Sequence, residues 1–170
     1  MATIDDRREL EALTETLWAE RHVVEYLLFK LVTAKLVLGA DERRFVKPAL
    51  DEVSRVTGAL RQAEQRRAAA LAGIAARWGV PPADLTLAEL ATRAGEPLRS
   101  VFLDHRDGFR ALAEQIEETT AANRQLAAGA LASVSEALDG LTGPARATTY
   151  TSSGRTETGR THPSRLDWVL

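Results

Sequence analysis

Five apolar residues of the N-terminal third, Leu10, Leu17, Val24, Leu31 and Leu38, stand seven positions apart. Leu13, Leu27 and Ala34 fill most of the places between them, and Glu20 is the one poor fit. A seven-residue repeat keeps one stripe of an α-helix turned toward a neighbour, so this stretch predicts a long helix with a partner along its length. Asp5 or Asp6 can cap its start, and Gly39 suits its stop. A helix over 6–38 is roughly 50 Å long at 1.5 Å per residue. That length calls for an elongated antiparallel bundle or coiled coil rather than a small globule.

A turn at Gly39-Ala40-Asp41 leads to a second apolar series: Phe45, Val53, Val56, Leu60, Ala63, Ala70, Ile74 and Trp78. It predicts a helix over 42–78 that contains Pro48 near its start, where the ring either opens the helix or kinks its first turn. Gly79-Val80-Pro81-Pro82 ends it. Thr86 and Glu89 have capping-box spacing, a hydroxyl and a carboxylate meeting the free N–H groups of a helix start, and mark a short helix over 86–94. Gly95-Glu96-Pro97 breaks that helix and opens a last one over 97–140. Its series runs Leu98, Phe102, His105, Phe109, Leu112, Ile116, Asn123, Leu126, Ala130, Val134 and Leu138. Gly108 and Gly129 each weaken it by roughly 1 kcal/mol relative to alanine. The fold class is therefore all-α: three long helices and one short one in a domain spanning 1–141.

Beyond it, from Leu141 to Leu170, only eight of thirty residues are apolar and thirteen are Ser, Thr or Gly. Such a segment buries too little surface to offset its ordering entropy, so 142–170 reads as a flexible tail. Its end, Leu166-Asp167-Trp168-Val169-Leu170, is either a docking element or a chance apolar terminus.

Composition narrows the function. A net charge of −2 argues against general affinity for nucleic acid or acidic lipid. The chain has no cysteine, which excludes disulfides and thiolate metal sites and fits a reducing compartment. The N-terminus is charged from Asp5 onward and lacks a secretory apolar run, and Glu25, Lys30 and Lys35 interrupt the greasiest stretch before it reaches membrane-spanning length. The expectation is a soluble cytoplasmic protein.

Catalytic signals are weak. His22 and Glu25 share a helix face, but a bundle metal site needs paired Glu-x-x-His motifs with further carboxylates. Asp104-His105-Arg106-Asp107 reads as an exposed face, since successive helix positions point apart. Trp78 reads as a core plug at a helix end. No catalytic residue, metal or cofactor is expected.

The more informative stretch is Asn123 to Leu141. Its apolar positions, Leu126, Ala127, Ala130, Leu131, Val134, Ala137, Leu138 and Leu141, are broad but shallow, and fall on two overlapping stripes. One stripe can pack on the protein while the other receives a foreign helix, because small residues let backbones approach. The plainer reading is an Ala-rich internal helix pair or a fraying end. Asn123 lies on the apolar seam, either as a polar register marker or as a contact for a docked partner.

These features resemble the FlgN-type flagellar secretion chaperones. The resemblance rests on two long helices, the Gly-Ala-Asp turn, the short helix Leu85-Thr86-Leu87-Ala88-Glu89-Leu90, and Asn123-Arg124-Gln125-Leu126 in the last helix. It is strongest from Asn123 through Ala137-Leu138-Asp139-Gly140-Leu141 to Thr149-Tyr150 and Gly154-Arg155. The chain departs from the pattern in having Thr151 where a glycine is common, and in a leucine-poor second helix with Pro48. The resemblance implies a cytoplasmic, non-enzymatic chaperone that binds the C-terminal helices of hook–filament junction (hook-associated) proteins. Such a chaperone prevents premature assembly and delivers its clients to the export apparatus, with export-gate or export-ATPase components as further partners. The binding element it implies is the last helix, here Asn123, Leu126, Ala127, Ala130, Leu131, Val134 and Leu138. The alternative is a structural coiled-coil protein that self-associates and has no client.

Overall fold

The structure, a computed structural model, describes residues 4–142, 148–150 and 156–158. Four helices follow one another: α1 (Ile4–Gly39), α2 (Arg43–Trp78), α3 (Leu87–Ala94) and α4 (Leu98–Thr142), with one 3₁₀ turn at Pro82–Asp84. Each helix end lies within two residues of its expected place. The chain divides into two compact units, residues 1–129 and 130–170.

In the first unit α1 and α2 are antiparallel. Glu9 pairs with Arg77, Glu20 with Arg67 and Lys30 with Glu52, partners that recede along α2 as they advance along α1. α4 runs beside α1 in the same direction, as contacts from Arg21 to Asp104 and from Leu31 to Asn123 record. The heptad stripe is the inner face of α1: Leu10, Leu13, Leu17, Val24, Leu27, Leu31 and Ala34 are all buried. Removing such side chains from water contributes about 1.5–3 kcal/mol each.

The core has two parts. The larger gathers Leu10, Leu13 and Leu17 of α1, Ile74 and Ala75 of α2, Leu85, Leu90 and Ala91 around α3, and Leu98 and Phe102 of α4. Trp78 packs against it, as expected for a plug, with the Arg93 guanidinium 5.4 Å from its ring centre. The smaller joins Leu27, Leu31 and Val56, with Ile116 of α4 against them. Between the two, Glu20 is buried at 3% exposure and held by Arg67 at 3.0 Å.

Local signals explain the corners. Gly79 adopts the left-handed conformation (φ 62°), and the Val80 N–H closes back on the Ala75 carbonyl at 3.1 Å. The α1–α2 turn differs from its expected chemistry. Gly39 is still helical, and Asp41 takes the left-handed position (φ 52°), with the Glu42 N–H reaching the Val37 carbonyl at 3.3 Å. Pro48 lies inside α2, one turn past its start, and the helix continues through it. The Thr86 hydroxyl accepts from the Glu89 N–H at 3.2 Å, half of the expected capping box, while the Glu89 carboxylate turns to Arg93.

In the second unit, Thr148–Tyr150 and Thr156–Thr158 form an antiparallel pair of three-residue strands, β1 and β2, with Thr148 opposite Thr158. The sequence reading gave this region no strand; its Thr and Tyr content suits a pleated pairing. The apolar cluster at 166–170 lies outside the described residues.

Candidate partner-binding face of the last helix

The α4 seam begins as a heptad series and changes character along its length. Leu98, Phe102, His105, Leu112 and Thr119 are buried, and Phe109 and Ile116 are half-buried. Leucine and phenylalanine give way to threonine and then Asn123, so the stripe becomes more polar and shallower as it proceeds. Asn123 is half-buried, and its Nδ2 donates to the Leu31 carbonyl at 3.0 Å. Its Oδ1 is buried without a hydrogen-bond partner. Of the two roles open to Asn123, the structure gives it an inward contact with α1.

Past Asn123 the side chains emerge. Leu126 is 36% exposed and Ala127 half-buried, both in the first unit. In the second unit Ala130, Leu131, Val134 and Leu138 are all exposed, Leu131 at 72% and Val134 at 39%. Neither of the two overlapping stripes is buried, so the expectation that one would pack on the protein itself is met only by half-buried Ala127.

His105 overturns part of the reading of its segment as an exposed face. Asp104, Arg106 and Asp107 do face solvent, but His105 is fully buried. Its ring meets Trp18 edge-on with 4.6 Å between centroids, and both ring nitrogens lack hydrogen-bond partners. Burial holds its pKa below the ordinary value, the nearby Arg21 guanidinium adds to that, and Asp104 opposes it. Arg21 donates to Asp104 at 2.7 Å and lies over Gly108, where an added Cβ would sit 2.6 Å from the guanidinium carbon. Gly108 thus opens a slot for a cation that crosses from α1.

Among the described residues no group of three His, Asp or Glu is placed to hold a metal ion, and no helix is long and apolar enough to cross a membrane. A groove of about 400 Å³ runs between α1 and α2, lined by His22, Val23, Tyr26, Glu52, Arg55, Val56 and Ala59. The sequence reading missed a set of exposed apolar residues on the outside of α1, Tyr26, Phe29 and Leu36, at 49%, 57% and 66% exposure. Their own 3–4 spacing was the available signal.

Comparison with curated proteins and with solved structures gave no match. A family model described as FlgN protein matches residues 1–158, which takes in all four helices and both strands. The chain therefore belongs to the FlgN family, and its general role is that of a flagellar export chaperone.

Proposed function

We propose that this chain is a cytoplasmic chaperone that holds the C-terminal helical segment of a hook–filament junction protein against α4. In this reading residues 1–141 form the chaperone body, and 142–170 are an appended flexible segment. The observation that carries it is the exposure of Leu131 and Val134 on an apolar face that alternates a few large side chains with alanine. Ala127 and Ala130 keep the surface low enough for a second backbone to come close, and Leu126, Leu131, Val134 and Leu138 supply the contact area. Asn123 marks where the inward-facing seam ends and the receiving face begins.

The chemistry of the task fits. An amphipathic terminal helix awaiting polymerisation is an aggregation hazard, and covering its apolar side removes that hazard. Ordering the client's segment consumes several kcal/mol of the interaction, which keeps the complex releasable for hand-over to export-gate or export-ATPase components.

The test is capture of purified junction protein by Leu131→Asp and Val134→Asp. A carboxylate buried under a docked helix is costly, so each is expected to weaken binding by at least tenfold, about 1.4 kcal/mol, with far-UV helicity unchanged. Normal binding by both variants would exclude this face as the site.

A further inference from the structure

We propose that the outer face of α1 is a second coiled-coil seam, and that its occupant is the same face of another copy of this chain in parallel register. The inner face of α1 is consumed by its own bundle through Val24, Leu27, Leu31 and Ala34. On the opposite side Ala19, His22, Tyr26, Phe29, Thr33 and Leu36 follow one another at steps of three and four, the spacing of alternating a and d positions. In this frame Ala19, Tyr26 and Thr33 are a residues, and His22, Phe29 and Leu36 are d residues. Val24, Leu31 and Leu38 then fall at f, turned away from the outer seam, which is where the bundle has them. From His22 to Leu36 the seam covers four turns, roughly 21 Å at 1.5 Å per residue. Tyr26, Phe29 and Leu36 each leave about half or more of their surface to solvent, a concentration that soluble surfaces rarely show without a use.

Charge chooses the occupant. The e and g positions flanking the seam from Trp18 to Gly39 hold two charged residues, Glu25 at g and Lys30 at e. In a parallel pair, a g residue lies beside the e residue five positions further along the other helix, because both border the same core layer. Glu25 of each copy therefore meets Lys30 of the other, twice by symmetry. Antiparallel pairing through the same layers would set Glu25 beside Val32 and Lys30 beside Val23, and both ion pairs would be lost.

The geometry already favours this arrangement. Lys30 Nζ is fixed at the seam edge, 5.0 Å from the Tyr26 ring centre and 5.4 Å from that of Phe29, and bound to Glu52 at 3.1 Å. An ammonium has three donors, so it can also donate to a second carboxylate. The Tyr26 and Phe29 rings stack with 6.0 Å between centroids and present a continuous wall.

The 170-residue sequence carries no cysteine, so one introduced thiol reports unambiguously. Sedimentation equilibrium of the unmodified chain is expected to give twice the 18.5 kDa monomer mass at micromolar concentration. Phe29→Asp should raise the dimer dissociation constant at least tenfold with helicity retained, because Phe29 supports no core contact in the monomer. Leu36→Cys should cross-link to itself on mild oxidation, which parallel register alone permits so far from the seam centre. Leu131→Asp should leave the dimer intact, separating this seam from the client-binding face. A monomer mass at all concentrations, a dimer indifferent to Phe29→Asp, or a dimer in which Leu36→Cys does not cross-link would each overturn the proposal.

Discussion

His105 and Glu20 both occupy positions where a bundle ordinarily has an apolar side chain, and burial drives their titrations in opposite senses. His105 is held below its ordinary pKa of 6.5, so the folded chain resists protonation that the unfolded chain accepts. Its contribution to stability is complete above pH 6.5 and is lost as pH falls below it. Glu20 is raised above 4.5 by burial and by Glu64, with Arg67 opposing. The folded chain therefore takes up its proton first, and stability rises as pH falls through the window above 4.5. The two slopes oppose each other in the wild type. Urea midpoints for His105→Phe should therefore increase on acidification from about pH 7 to about pH 5, and those for Glu20→Gln should fall more steeply than in the parent. At about pH 7, Glu20→Leu should be neutral or stabilising by about 1–2 kcal/mol, because Arg67 can turn to solvent. Arg67→Ala should destabilise by a similar amount, since it leaves the Glu20 carboxylate buried with its partner gone.

At the level of elements, the inner stripe of α1 was legible because every seventh residue repeats the same apolar choice. The outer one was not, because a helix that is apolar on two sides shows little contrast between them, and the first stripe found accounts for the helix. Turn chemistry misled at Gly39 for a related reason: glycine suits a helix stop, yet the backbone continues two residues before Asp41 takes the left-handed conformation. Asp41→Gly should accordingly stabilise the chain by up to about 1 kcal/mol, measured by thermal or urea unfolding. The glycines of α4 offer a paired test. Gly129→Ala meets nothing within 4 Å and should gain the helix-propensity increment of about 1 kcal/mol. Gly108→Ala must displace the Arg21 guanidinium from its slot over α4 and should gain less, with the Arg21–Asp104 bond weakened.

For the molecule as a whole, the helical order and the fading of the α4 seam could be read from residue choice alone, since leucine, threonine, asparagine and alanine succeed one another along it. Which way Asn123 points could not, because spacing puts a residue on a seam without saying whether its own chain or another supplies the acceptor. Among the described residues of α4, Thr119 is the last that is buried, and every residue from Ala128 to Gly140 is exposed. Backbone amide exchange should therefore be slow through Thr119 and faster by orders of magnitude beyond Ala128, with client binding slowing the latter. A bare helical stretch of that length is marginal in water. The Asn123 amide, hooked onto the Leu31 carbonyl, is consequently a rivet that fixes α4 to α1 just before that stretch begins. Asn123→Leu would remove it and loosen the register between those two helices, while leaving the exposed apolar side chains beyond Ala128 in place.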